Sequence, residues 1–168
     1  MKTLTLVRHA KSSWKDRRLS DRERPLNKRG ERDAPIMAKR ILEAEARPSQ
    51  IISSPAVRAW TTAKVFAKAL NYPVEFLQRE DGLYLASLDN LLDVVATQDP
   101  GFNNLMLFAH NPGLTDFANY LVTGLTSNLP TAGVVSVRIE SDDWLLYDRP
   151  STELLIYDYP KAVNTQGH

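Results

Sequence analysis

At 168 residues, with 43% hydrophobic and 24% charged residues, the chain has the make-up of an ordinary soluble globular domain able to bury a full core. A formal net charge of +1 gives no bulk electrostatic case for a nucleic-acid or membrane partner, and the lack of cysteine excludes disulfides, thiolate metal sites and a cysteine nucleophile. No apolar run reaches the length of a membrane span, and Met1-Lys2-Thr3 leads straight into apolar sequence, so a single cytoplasmic domain over residues 1–168 is expected.

Thr3 to Val7 is a β-branched and leucine-rich run that reads as a strand buried on both faces. It stops at Arg8 and His9, which puts a guanidinium and an imidazole at a carboxyl strand end, where open α/β sheets place their ligand crevices. Lys11 to Lys28 is charged and aperiodic, and is expected to be a loop over the mouth of that strand. Asn27 is a good helix cap, and Ile36, Met37, Arg40, Ile41 and Ala44 follow at helical spacing, up to Pro48. Pro35 is expected early in that helix, or as a sign of a slightly later start.

Gln50 to Ser54 predicts a second strand. Pro55 predicts the first position of a helix carrying Val57, Trp60, Thr61, Val65, Phe66 and Ala69. Arg58 falls in its first turn, where a cation opposes the helix dipole by about 0.3 to 1 kcal/mol and a bound anion would offset that. Pro73 to Leu77 predicts a short third strand, and Ser87 predicts the cap of a helix with Leu88, Leu91, Leu92 and Val95 on its apolar face. Asn104 to Ala109 is another buried strand, ending at His110. Asn111-Pro112-Gly113 then opens a helix through Phe117 and Leu121, so its first amides lie beside His110 and form a natural anion site. Val134 to Ile139 and Asp143 to Tyr147 predict a hairpin, Glu153 to Tyr157 a further strand, and Lys161 to His168 a frayed tail.

Three strand ends thus deliver Arg8 with His9, Arg58, and His110. Two arginines and two histidines suit a phosphoryl dianion: arginine offers planar paired donors, one imidazole can attack phosphorus, and the other can donate to its oxygens. Three histidines exist in all, His9, His110 and His168; flanking arginines repel a cation, so no metal site is expected. No cofactor is called for.

These residues stand in stretches that resemble a known family. Arg8-His9-Ala10, Ser53 to Ala59 with Thr61-Thr62-Ala63, and Ala109-His110-Asn111-Pro112 are similar to the signatures of the histidine phosphatase superfamily. Arg8 to Trp14, Arg24 to Gly30, Leu83-Tyr84 and His110 to Leu114 most resemble SixA-type phosphohistidine phosphatases, and the likeness runs in order to about Val137. The resemblance implies a three-layer α/β/α sandwich of the phosphoglycerate-mutase-like type, with a mostly parallel central sheet and, from the hairpin above, an antiparallel end. It implies a phosphorylated His9 intermediate held by Arg8, Arg58 and His110, with Ser12 and Asn111 as further substrate-binding candidates. Lys15 stands where mutase-like relatives often carry asparagine, which speaks against a mutase.

The expected substrate is phosphohistidine on a protein, such as a histidine-containing signalling or phosphotransfer protein. Alternatives are a small-molecule phosphomonoesterase or mutase, and a catalytically idle phosphate-binding module. Candidates for a proton-donating acid are Glu80, Asp81 and Asp16, by location only.

Overall fold

The computed structural model describes residues 1–162. Its strands are β1 (Lys2–Arg8), β2 (Gln50–Ser53), β3 (Gln78–Arg79), β4 (Asn104–Ala109), β5 (Val134–Ile139) and β6 (Thr152–Asp158). They form one sheet in the order β3-β2-β4-β1-β5-β6. The pairs β3–β2, β2–β4 and β4–β1 are parallel, whereas β5 runs antiparallel to β1 and β6 to β5. The helices are α1 (Lys28–Glu43), α2 (Val57–Ala69), α3 (Leu88–Ala96) and α4 (Gly113–Leu121).

Period-two alternation sorts the sheet's side chains onto two faces and thereby makes three layers. Leu4, Leu6, Leu105, Leu107, Val135 and Val137 point to one face and pack with α3 and α4. Val7, Ile51, Met106, Phe108 and Val134 point to the other and pack with α1 and α2. β1 and β4, in the middle, are sandwiched on both faces, which is why they read as unbroken apolar runs. Thr5 and Ser136 are one polar exception; their hydroxyls, buried opposite one another, satisfy each other at 2.9 Å.

Two of the four helices, α1 and α3, carry the caps read from sequence, whereas α2 and α4 start after Ala56 and Pro112 with no side-chain cap. Asn27 accepts from the Gly30 amide at 2.8 Å and Ser87 from Asn90 at 3.3 Å. Gly30 is needed for a steric reason, since a Cβ there would sit 2.1 Å from the Lys11 carbonyl oxygen. The start of α1 is thereby pressed against the backbone that follows His9.

Several expectations are corrected. Helix α1 begins at Lys28, so Pro35 lies in its interior; it sits on the exposed face, where the carbonyl it leaves unpaired can reach solvent. Ile36 is also exposed, and the buried stripe is Ala34, Met37, Ala38 and Ile41. Pro55 precedes the cap residue Ala56, so α2 starts two residues late. Val74–Phe76 is a 3₁₀ turn, and the strand follows it at Gln78–Arg79.

Asp143 to Tyr147 is not a strand. Trp144 and Leu146 point inward and Leu145 and Tyr147 outward, which imitates strand alternation, but both edges of β5 are already taken by β1 and β6. Residues 163–168, including His168 and most of the expected tail, lie outside the described residues. No helix among the described residues is long and apolar enough to cross a membrane.

Candidate active site

Parallel pairing brings the carboxyl ends of β1, β2 and β4 side by side, with Arg8 opposite Ala109 and Ser53 opposite Phe108. The residues that follow therefore converge. The His9 and His110 rings lie with centroids 5.1 Å apart, and both line a cleft of about 280 Å³ with Arg8, Arg58, Lys11, Ser12, Asp21, Arg24, Asn111 and Thr131. Arg8, Arg58, His9, His110, Ser12 and Asn111, separated by up to 103 positions in the chain, are thus brought into one place. A larger groove of about 480 Å³, beside Tyr72 and Phe76, contains none of them.

His9 is held from several sides. Its amide bonds the Ala109 carbonyl at 3.3 Å, its carbonyl accepts from Ala132 at 3.0 Å, and the Ala10 amide donates to Thr62 Oγ1 at 3.0 Å. The ring Nδ1 lies 2.8 Å from the Ala10 carbonyl oxygen. A carbonyl can only accept, so the proton is on Nδ1 and Nε2 carries the free lone pair. Burial, with smaller contributions from the charges of Arg58, Arg8 and Arg24, brings the pKa down to about 3 despite the opposing Ala10 bond, so the ring is neutral at physiological pH.

His110 Nε2 meets Ser54 Oγ at 2.7 Å, and Ser54 Oγ already accepts from the Ala56 amide at 3.2 Å. Its pKa is likewise about 3, first through burial and then through His9 and Arg58. From sequence, Ser54 stands at the end of the second strand and within the Ser53 to Ala59 signature, with no role of its own.

Arg58 is 2% exposed. One terminal nitrogen donates to the Asp21 carbonyl at 2.6 Å and the other to the Asp21 carboxylate at 3.0 Å. Arg8 is anchored through Nη1 to the Leu129 carbonyl at 2.9 Å. Among the described residues, five buried side-chain nitrogens lack a hydrogen-bond partner, and three of them, Arg8 Nε, Arg58 Nε and His110 Nδ1, belong to this one cluster. Unpaired buried donors are costly, by roughly 1–3 kcal/mol each, and are explained where an anion can take them.

Asp21, not foreseen from sequence, is the hub of the cleft wall. Its carboxylate receives Arg58, Arg24 at 3.3 Å and the Tyr84 hydroxyl at 2.5 Å. Burial would raise its pKa; the hydrogen bonds from Tyr84 and Arg58 and the charges of Arg58 and Arg24 outweigh that and hold it at about 2. Even with this carboxylate ionised, Arg8, Arg24, Arg58 and Lys11 leave the cleft cationic.

The three acid candidates fare differently. Asp16 is paired with Arg18 at 3.0 Å on the surface, Asp81 faces Arg22 at 3.6 Å, and Glu80 is tied by its amide to Ser53; none of the three lines the cleft. Ser12 is buried in the wall, bridged to Leu26. The Asn111 amide is engaged structurally, donating to Asn128 and Leu129 and accepting from Thr115 at the start of α4. Among the described residues, no group of three or more histidine or acidic side chains is placed to hold a metal ion.

Residues 4–93 match the family model of the histidine phosphatase superfamily (branch 1). An uncharacterized chloroplastic protein of Arabidopsis thaliana is 30% identical over 151 residues, 84% of this chain and 68% of that protein. Among solved structures, a candidate phosphohistidine phosphatase SixA from Agrobacterium tumefaciens superposes with a TM-score of 0.81 at 25% identity, over 95% of this chain and 98% of that one. A protein histidine phosphatase SixA complexed with tungstate gives 0.77 at 20% identity, over 94% and 97% of the two chains. A mycobacterial glucosyl-3-phosphoglycerate phosphatase gives 0.68 at 13%, over 95% and 99%. The last two bear on the fold alone. Together the superpositions place the sheet and its helices in the phosphoglycerate-mutase-like α/β/α fold.

Proposed function

The chain belongs to the histidine phosphatase superfamily and is a phosphatase, and from that premise we propose that it removes the phosphoryl group from phosphohistidine on a protein, through a phosphohistidine intermediate on His9. The observation that carries this is the state of His9: Nδ1–H committed to Ala10, pKa held at about 3, and Nε2 left as a free nucleophile between arginines.

In the first step the Nε2 lone pair attacks phosphorus as the bond from phosphorus to the substrate nitrogen breaks. A substrate ring protonated on its far nitrogen departs as neutral imidazole. In the second, water attacks the phosphoryl group, the P–Nε2 electron pair returns to His9, and one water proton leaves on hydrogen phosphate while the other passes to solvent. Arg8 Nε and Arg58 Nε supply charge-assisted donors to the phosphoryl oxygens. In the tautomer in which Ser54 gives its proton to His110 Nε2, the His110 proton lies on the unpaired Nδ1 as another donor.

The P–N preference is supported by the protonation of the wall. An alkoxide leaving group benefits from a proton by about a hundredfold to ten-thousandfold, whereas imidazole leaves without one. Asp21, the carboxyl group in the cleft, is held at about 2 and has no proton to give at neutral pH. The test is a panel of free phosphohistidine, an aryl phosphate and alkyl phosphates. Alkyl phosphates are expected to lag by at least about a hundredfold in kcat/KM. Comparable rates on alkyl esters would put the ester-phosphatase reading first, and no turnover of any substrate would leave a phosphate-binding module.

A further inference from the structure

The segment crossing the mouth of the cleft differs in chemistry from the rest of the chain. From Lys11 to Arg24 it carries six cations and three carboxylates, a net charge of +3, whereas the whole chain carries +1. Trp14 stands within it, 71% exposed, yet lines the cleft. The Arg24 guanidinium lies 3.5 Å from the centre of its ring, and Arg24 is itself buried. The indole is thus fixed by a cation–π contact while most of its surface faces solvent.

Leu85 lines the same cleft, 56% exposed, with a backbone φ of +47°. The left-handed region disfavours a leucine by roughly 1–2 kcal/mol, so this side chain is presented against both backbone preference and burial. Single exposed apolar residues are ordinary; an aromatic and an aliphatic one at the mouth of a phosphoryl cleft, beside a cationic segment, are a surface with a definite complement. Among the described residues Lys15 and Arg17 are exposed and have no carboxylate within ion-pair distance, which leaves their charge available to a partner.

We propose that Trp14 and Leu85, with Lys15 and Arg17 on the segment that carries Trp14, form a docking surface for the protein face that surrounds a substrate phosphohistidine. The face it fits is apolar beside the phosphohistidine and acidic farther out. This rests on the phosphohistidine reading above and adds the class of protein recognised. A small phosphate reaches only the arginine and histidine floor of the cleft, so the mouth discriminates in favour of macromolecular substrates.

The test compares free phosphohistidine with two synthetic peptides carrying phosphohistidine next to leucine, one flanked by glutamates and one by lysines. The acidic peptide is expected to exceed free phosphohistidine in kcat/KM by at least about tenfold, through KM, and the basic peptide to show no such advantage. Trp14→Ala, Leu85→Ala and the double variant Lys15→Glu/Arg17→Glu are each expected to erase most of that advantage, while free phosphohistidine changes by less than about threefold. An equal loss on peptide and free phosphohistidine would mean that Trp14 and Leu85 only support the cleft, and would overturn the proposal. So would an acidic peptide with no advantage, or one whose advantage survives all three variants. Failure of the underlying reading looks different: free phosphohistidine would not be turned over while an aryl phosphate is, and the docking assignment would fall with it.

Discussion

Arg58→Lys retains the charge of the buried cation and removes its geometry. In the structure the guanidinium spends one hydrogen on the Asp21 carbonyl and one on the Asp21 carboxylate, and its Nε points a third, unpaired hydrogen from a site 2% exposed. An ammonium has one nitrogen and cannot serve Asp21 and a phosphoryl oxygen from two edges of a plane. At least one charge-assisted hydrogen bond is lost in the transition state, worth about 1.5–3 kcal/mol, which is roughly tenfold to a hundredfold in rate. The assay is kcat/KM on an aryl phosphate, whose good leaving group makes no demand for an acid, run beside thermal unfolding and inhibition by tungstate. The expected result is a loss of at least about tenfold in kcat/KM with weaker tungstate inhibition, in a protein that still unfolds cooperatively. A cooperatively folding variant within about twofold of the parent on both readouts would show that Arg58 supports the wall and does not hold the phosphoryl group.

Asp21→Ala removes the acceptor shared by Arg58, Arg24 and Tyr84; because that carboxylate is 41% exposed, the loss is discounted to about 1–2 kcal/mol, or a fall in Tm of about 2–8 °C, with lower activity. An unchanged Tm and rate would refute its role as hub. Stability should also depend on pH through the histidines. His9 and His110 titrate near 3 when folded and near 6.5 when unfolded, so between these values the unfolded chain binds more protons and stability falls as pH falls. Tm is therefore expected to drop from pH 7 to pH 5, and less so with tungstate bound, because the anion favours the imidazolium form; equal Tm values at the two pH values without tungstate would contradict the neutral histidine pair.

What could be read from sequence and what could not divides along contact range. Arg8, His9 and His110 were legible because each ends an apolar run, and parallel pairing of such runs brings their ends together. Arg58 was legible as a cation against the dipole of a helix start. Asp21 was not, and Arg24 and Tyr84 stood out only within stretches that carry the family resemblance, with no role attached. They lie in loops without periodicity, and their bonds span 37 positions from Asp21 to Arg58 and 63 from Asp21 to Tyr84. Asp143 to Tyr147 misled for a different reason, since alternation reports which side chains are buried and not whether a strand edge remains for pairing. Asp16 and Asp81 were candidates by location only, and each pairs with a surface arginine instead.

The central claim is that His9 Nε2 carries the phosphoryl group between two half-reactions. It is tested most directly by acid-free rapid quench during turnover of phosphohistidine, followed by mass spectrometry of the peptide around residue 9. The account predicts an acid-labile phosphoryl group on His9, formed at the speed of turnover and absent from a folded His9→Ala variant that has lost activity but still binds tungstate. Phosphoryl trapped on another residue, or steady turnover by His9→Ala, would contradict it.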